Sequence, residues 1–188
     1  MFRRNNEAFF FQTPVYVDAR QFIIELGIKS VLDIGCGNPQ KLKAYIYPFT
    51  DDIVGIDLQE VVDQVDEAFG HWFEADLDND SVCLGRTFEL IIAADVIEHL
   101  KSPIGLFDVI KRHADENTII LISTPEKTKD YPNNLSHETM YTGVEMASML
   151  NENGLRVERA KSYVEKNAKP RYASNMFLCK KVLADGRL

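Results

Sequence analysis

Cysteine is scarce in this chain of 188 residues: Cys36, Cys83 and Cys179 are widely spaced and include no C-x-x-C pair. An odd, scattered set argues against a disulfide framework and a cysteine zinc site, and points to a reducing cytoplasm. Long apolar runs are also missing. Leu90 to Ala94 and Thr118 to Ile122 fall far below the roughly 20 residues of a membrane helix, so no membrane partner is expected. Near the N-terminus Asn5, Asn6 and Glu7 follow Arg3 and Arg4, leaving no apolar stretch of signal-peptide length. Positive charge is in short supply. With 21 Lys and Arg against 29 Asp and Glu the net charge is -8, which makes nucleic acid an unfavourable partner. The shortage is uneven, because Arg156 to Leu188 holds nine Lys or Arg against three Asp or Glu. That basic end is either a solvated sheet edge or a patch that attracts an anionic acceptor. Repeats, low-complexity tracts and Gly/Ser linkers are absent, so residues 1–188 are expected to form one domain.

What is present is alternation. Hydrophobic residues make up 45% of the chain, enough for a sizeable core. Short β-branched runs at Val31 to Ile34, Ile53 to Ile56, Trp72 to Ala75, Phe88 to Ala94 and Thr118 to Ser123 predict buried strands. Between them lie helical periods. Thr13-Pro14 predicts an N-cap and first helical residue, opening an N-terminal helix over 13–27 that ends at Gly27. Gln40 to Tyr47, a helix starting at Ser102-Pro103 and running to His113, and Thr142 to Asn153 follow, the last closed by Gly154. The core spans 30–154. After it, Leu155 to Tyr163 and Tyr172 to Lys180 form a terminal hairpin over 155–181, joined by a polar loop with Asn167, Lys169 and Pro170. The expected architecture is a three-layer, Rossmann-like α/β fold. Its seven-stranded sheet is mostly parallel and finishes in an antiparallel hairpin.

The stretch VLDIGCGNPQK, Val31 to Lys41, closes the first strand, and GIDL, Gly55 to Leu58, closes the second. Ligands of open parallel sheets collect at such strand ends. Asp57 is placed to grip the two ribose hydroxyls of a nucleoside, with helix capping as the alternative role. A dinucleotide fingerprint needs a third small residue where this chain has Gln40, and Asp33 would repel a pyrophosphate. The same carboxylate suits a ligand with a positive amino group. Two glycines let a nucleoside lie close to the backbone, and Pro39 can open the next helix. The loop therefore favours a cationic nucleoside over NAD. Cys36 reads as small packing filler between the glycines. A P-loop is excluded because no G-K-[ST] follows.

VLDIGCGNP, GIDLQE, EADLD, ELIIAADVIEHL and the STPEK segment, in this order, resemble class I S-adenosylmethionine-dependent methyltransferases over roughly Ser30 to Ala160. The resemblance implies S-adenosylmethionine as donor. Asp33 and the backbone of Gly35, Cys36 and Gly37 would hold its methionine part, and Asp57 with Leu58 its ribose side. Asp76 would accept from the adenine amino group, flanked by Ala75 and Leu77, although a turn-capping role for Asp76 is open too. Asp95, ending the fourth strand, would face the methyl group and acceptor.

Methyl transfer to oxygen also needs a proton removed, or a metal to acidify the acceptor. On a helical turn Asp95, Glu98 and His99 share one face. His137 follows in the long segment from Thr124 to Tyr141, which is expected to form a lid across the sheet's mouth. These groups could supply acid/base chemistry through Asp95, His99 and His137, or hold a divalent cation. The pattern is similar to the ubiquinone-biosynthesis O-methyltransferases and the small-RNA 2′-O-methyltransferases. By that likeness Asp95, Glu98, His99 and His137 would be ligands, with metal-independent catalysis by the histidines as the preferred reading. Phe9-Phe10-Phe11 through Tyr16 would cover the sheet as an apolar helix face or fold over the donor pocket. The expected activity is methylation of a small-molecule acceptor, on oxygen rather than nitrogen, and an anionic acceptor would suit the basic C-terminal stretch. Its rivals are an RNA 2′-O-methyltransferase with a divalent metal and a non-catalytic nucleoside-binding subunit. Nothing in the pattern assigns an oligomeric state.

Overall fold

A computed structural model describes residues 7–65, 69–128, 137–165 and 172–182, with side chains of 7–11, 165 and 172 outside that description. Seven strands form one sheet: β1 Ser30–Ile34, β2 Asp52–Asp57, β3 His71–Glu74, β4 Leu90–Ala94, β5 Ile119–Pro125, β6 Leu155–Glu165 and β7 Tyr172–Lys181. Their order is β3-β2-β1-β4-β5-β7-β6. The first five run parallel, and β7 enters antiparallel between β5 and β6. The predicted mostly parallel sheet with an antiparallel finish is therefore what the chain forms. Strands β4 and β5 are buried at every position, as expected where both faces are covered. The strand order reverses between β1 and β4, and the crevice above their carboxyl ends is where a ligand belongs.

Helices α1 (Glu7–Leu26), α2 (Gln59–Val62), α3 (Ile104–His113) and α4 (Gly143–Glu152) complete the layers. One face is sealed by Val15, Tyr16, Ala19 and Ile23 of α1 with Leu42 and Ile46, the other by Leu106, Phe107 and Ile110 of α3 with Met146 and Leu150 of α4. Thr142 and Glu145 form a reciprocal capping box at the start of α4. Among the described residues no helix is long and apolar enough to cross a membrane.

The structure adds detail to three expectations. The first helix does not start at Thr13-Pro14: it begins at Glu7, with Pro14 inside. Proline there deprives the Phe10 carbonyl of its helical donor, a cost of about 3 kcal/mol. The extra turn is tied down instead by Gln12, whose amide donates to the Ala94 carbonyl at 2.8 Å. The side chains of Phe9 to Phe11 lie outside the described residues. Second, the helix expected over Gln40 to Tyr47 forms over 40–46, but its part Leu42–Ile46 is π-helical, closed by the Tyr47 N–H on the Leu42 carbonyl at 2.9 Å. Third, four of the nine basic residues of the C-terminal stretch, Lys166, Lys169, Arg171 and Arg187, lie outside the described residues, and several of the others are paired within the protein. Lys180 donates to the Asn117 carbonyl, and Lys181 to the carbonyls of Lys111 and Ala114, at the amino end of β5. Arg156 pairs with Glu158 and Lys161 with Asp18. The loop of Asn167, Lys169 and Pro170 lies outside the described residues.

Between β3 and β4 no helix forms among the described residues. His113 holds this stretch instead: Nδ1 donates to the Arg86 carbonyl at 2.8 Å, and Nε2 accepts the Leu84 N–H at 3.4 Å. Arg86 grips Asp52 with both terminal nitrogens, at 3.0 and 2.6 Å.

Candidate active site at the carboxyl ends of β1 and β4

The glycine loop leaves β1 with Gly35 at φ 68° and Gly37 at φ 57°, the left-handed region that only glycine enters cheaply. A Cβ on Gly35 would meet Val96 Cγ2 at 2.5 Å, so this glycine also lets β1 and the segment after β4 approach. The Gly35 and Cys36 N–H groups both donate to the Ile56 carbonyl, at 2.7 and 3.2 Å. Cys36 is buried in the core beneath α1, which agrees with packing rather than nucleophilic use. Gly37 then points its N–H at Asp57 Oδ2, 2.7 Å away, while the Leu58 N–H donates to Asp57 Oδ1 at 2.8 Å. The loop and the carboxylate expected to hold the ribose thus face each other. Leu58 beside them is 42% exposed, an apolar surface at the mouth of the crevice.

Asp33 lies beneath this loop, fully buried, and accepts the Tyr16 hydroxyl on Oδ2 at 2.8 Å. Its other oxygen has no hydrogen-bond partner among the described residues. Burial pushes the carboxyl up to about 7, with Asp57 adding to the rise, while the Tyr16 bond and the Lys41 ammonium pull it back. Lys41, itself buried, donates to Gln12 Oε1 and sits 5.4 Å from the centre of the Tyr16 ring. Gln12 and Lys41 were not among the residues expected from the sequence, and Tyr16 was expected only as part of an apolar face or a cover over the pocket. Lys41 stands in the same short stretch as the glycines, but its partners come from a helix that no local signal links to the loop.

At the end of β3 the Ala75 N–H donates to the Asp57 carbonyl at 2.9 Å, and Ala75 and Leu77 are buried. Asp76 accepts the Asp78 N–H at 3.0 Å and the Asn79 amide at 2.7 Å. Its carboxylate therefore caps a turn, the alternative role left open for it. Asp78 latches that turn to the approach of α3 by accepting the N–H groups of Lys101 and Ser102, at 3.0 and 3.1 Å. A cavity of about 560 Å³ runs from Ala75 along Phe73, Glu74 and Asp80 to Leu84 on the outer side of β3.

The second half of the crevice follows β4. Asp95 takes a left-handed backbone, φ 54°, unusual for a non-glycine residue. It is held by its own N–H on the Ser123 carbonyl at 3.1 Å and by the Ser123 hydroxyl on Oδ1 at 2.6 Å. A 3-10 turn, Ile97–His99, comes next. Glu98 is buried completely, with the Thr124 hydroxyl 3.3 Å from Oε2 and no hydrogen-bond partner for Oε1 among the described residues. Burial, then the charge of Asp95, pushes this carboxyl well above the usual range. The Glu98 carbonyl accepts the N–H groups of Glu138 and Thr139, at 2.8 and 3.2 Å, which carries His137 to the site. The rings of His99 and His137 meet edge to face, 4.9 Å between centres. Burial, then His99, pulls His137 down to about 4, so it is uncharged at neutral pH. One ligand atom from each of Glu98, His99 and His137 lies within 4.8 Å of the others. Asp95, expected to share that set, is turned to Ser123 instead. The segment expected to act as a lid contributes His137, but its residues 129–136 lie outside the described ones.

A family model described as a methyltransferase domain matches residues 15–160, and the chain belongs to that family. It is an enzyme of the class whose methyl donor is S-adenosylmethionine. No curated protein matches it in sequence. Solved structures do in fold. The magnesium protoporphyrin IX methyltransferase of Synechocystis, with S-adenosylhomocysteine bound, is 14% identical with a TM-score of 0.65, over 90% of this chain and 83% of that one. An S-adenosylmethionine-dependent methyltransferase of Clostridium acetobutylicum is 13% identical with a TM-score of 0.68, over 95% and 93%. The glycopeptide N-methyltransferase MtfA is 12% identical with a TM-score of 0.63, over 88% and 95%. A porphyrin and a glycopeptide on one scaffold leave the acceptor to the site residues.

Proposed function

We propose that this enzyme methylates an oxygen of a small-molecule acceptor. The donor would lie along Asp33, the Gly35–Gly37 backbone, Asp57 and Leu58, with its adenine against Ala75, Asp76 and Leu77 and its methyl group toward Asp95. The observation that carries the reading is the His99–His137 ring pair over buried Glu98, next to Asp95 at the end of β4. With Glu98 pushed toward its protonated form and His137 neutral, the cluster suits an uncharged hydroxyl better than a cationic amine. The hydroxyl oxygen attacks the methyl carbon as the carbon–sulfur bond breaks, the sulfonium becomes a thioether, and an imidazole takes the hydroxyl proton. Alignment supplies most of the acceleration, on the order of 7–11 kcal/mol in the best cases, and general-base assistance about 10²–10⁴-fold. The net charge of -8 disfavours a nucleic-acid acceptor, which leaves a small molecule as the simpler partner.

A second reading rests on Glu98 Oε1, which accepts no hydrogen bond among the described residues and lies 3.9 Å from His99 Nε2. Glu98, His99 and His137 offer one carboxylate and two imidazole ligands at compatible distances, a donor set that fits a divalent cation. When bound, the cation would acidify the acceptor hydroxyl. That form is shared with the ubiquinone-biosynthesis type and with RNA 2′-O-methylation, against which the same acidic balance counts.

The test is calorimetric titration with S-adenosylhomocysteine, with NAD as control, in EDTA and in Mg²⁺ or Mn²⁺. Hydroxylated and amino metabolites are then screened for methylated product by mass spectrometry. Micromolar binding, no NAD binding, and O-methyl products lost in His137→Ala support the proposal. Absence of S-adenosylhomocysteine binding overturns it, and exclusively N-methyl products overturn its oxygen specificity. Turnover abolished by EDTA and restored by Mn²⁺, but not in Glu98→Gln, establishes the second reading.

A further inference from the structure

His137 makes a contact that fixes which of its two nitrogens carries the proton. Its Nδ1 lies 2.9 Å from the sulfur of Met140. A thioether can accept a hydrogen bond but has no hydrogen to give, so the roles in this contact cannot be exchanged. A bare Nδ1 would aim its lone pair at those of the sulfur. The proton therefore sits on Nδ1, and in the neutral ring Nε2 keeps the lone pair. An unconstrained imidazole prefers the opposite form, with Nε2 protonated. The contact is built into the backbone. The Glu98 carbonyl accepts the N–H groups of both Glu138 and Thr139, at 2.8 and 3.2 Å, and this bend brings residues 137 and 140 together. Met140 is 4% exposed, so its sulfur is shielded from water. The next residue ties the bend to the sheet: Tyr141 bridges Glu126, and its carbonyl accepts the Lys127 N–H at 2.9 Å.

We propose that Met140 is a positioning residue for His137: its sulfur holds the Nδ1 proton, and Nε2 is the nitrogen that meets the acceptor. As the hydroxyl oxygen bonds to the methyl carbon, its O–H bond breaks and the proton goes to the Nε2 lone pair. The electrons of the broken carbon–sulfur bond stay on the donor's sulfur. In the opposite tautomer Nε2 would already carry a hydrogen and could only donate. The base role of Nε2 rests on the hydroxyl acceptor proposed above, whereas the tautomer rests on the Met140 contact alone.

The experiment reads imidazole tautomers by long-range ¹H–¹⁵N correlation on the full, ¹⁵N-labelled chain at neutral pH, with no acceptor present. The chain has four histidines, and His137→Gln assigns the signal. His113 is the internal standard for the Nδ1–H form and for an intact fold, since its Nδ1 donates to the Arg86 carbonyl while Nε2 accepts the Leu84 N–H. Wild type should show His137 with Nδ1 protonated and Nε2 bare. Met140→Leu should move the proton to Nε2, and Met140→Gln, whose amide oxygen can accept, should keep it on Nδ1. With a hydroxyl acceptor from the screen above, Met140→Leu should lose roughly 10- to 100-fold in kcat, part of what a general base supplies. Met140→Gln should recover most of that loss, and both variants should bind S-adenosylhomocysteine within about twofold of wild type. Nε2 protonated in wild type overturns the proposal, and this arm needs no variant to fold. An unchanged tautomer in Met140→Leu overturns the part given to the sulfur. Equal kcat loss in both variants, with Met140→Gln still protonated on Nδ1, overturns it too, because Met140 would then only pack. Methylation of amines alone, with the tautomers as expected, overturns the oxygen acceptor of the proposed function and leaves the Met140–His137 contact standing.

Discussion

Replacing Asp33 by asparagine should flatten the pH dependence of stability in the ligand-free protein, so that the variant gains on its parent as pH rises. Burial holds the Asp33 carboxyl at about 7 in the fold against an ordinary 3.8. A carboxyl whose pKa is raised by folding favours the fold below its unfolded value, where it is protonated in both states. That contribution fades as pH climbs through the folded value, because the native state then has to hold a buried charge. The gap corresponds to roughly 4 kcal/mol between about pH 4 and pH 8. Asparagine keeps an acceptor for Tyr16 but adds buried N–H groups, a constant penalty of about 1–3 kcal/mol that does not vary with pH. The difference in unfolding free energy, Asp33→Asn variant minus parent, should thus rise by about 3–4 kcal/mol across that range, whatever its starting value.

Urea unfolding followed by fluorescence of Trp72, the single tryptophan, measures this directly. A difference that stays level or falls with pH would refute the assignment of a buried Asp33 carboxyl raised to about 7. A linked signal belongs to ligand binding. An arriving ammonium pulls the carboxyl down, so S-adenosylhomocysteine should displace about half a proton at pH 7 and nearly a full one at pH 6. Calorimetry in buffers of different ionisation enthalpy counts those protons, and Asp33→Asn should release none.

Gly105→Ala sets helix propensity against packing. Alanine is worth about 0.5–1 kcal/mol more than glycine inside a helix. Here, however, its Cβ would lie 1.9 Å from the Leu77 carbonyl, so α3 or the Asp76 turn must shift, and a net loss of about 1–3 kcal/mol in urea unfolding is expected. Thr142→Ala removes one side of the capping box on α4 and should cost about 1 kcal/mol in the same assay. Thiol titration of the native protein should label Cys83 quickly. Cys36 and Cys179 should resist until the chain unfolds, being buried, with burial pushing the Cys179 thiol up to about 12.

Strands β1, β2, β4 and β5 were legible as short β-branched runs buried along nearly all their length. Strand β3, expected to be buried as well, is His71–Glu74 at the sheet edge with Phe73 and Glu74 exposed. The last helix was legible for a local reason as well, since its capping box and closing Gly154 sit within it. Local signals failed where a distant group overruled them. Thr13-Pro14 marks a helix start by every near-neighbour rule, yet Gln12 finds its partners at Ala94 and Lys41, and the helix extends to meet them. The basic C-terminal count does not assign one location, because only five of the nine Lys and Arg fall on described residues. Antiparallel register places Lys180 and Lys181 opposite the start of β5, on the far side of the sheet from the crevice.

The same logic explains which site residues could be read and which could not. Asp33, Asp57 and Asp95 each end a strand, a position the chain reveals by itself, and the sheet order then brings them to one crevice. Lys41 and Tyr16 have no such marker, because their roles exist only once α1 lies across the loop. His99 and His137 meet because the Glu98 carbonyl accepts two N–H groups from the segment after residue 136, a bond that sequence spacing does not encode. Residues proposed to touch the donor's nucleoside sit on the sheet, where strand ends mark them. Those proposed to meet the acceptor include His137, which comes from a segment laid over the sheet. Altering the His137 segment should therefore change which molecules react while leaving the fold standing.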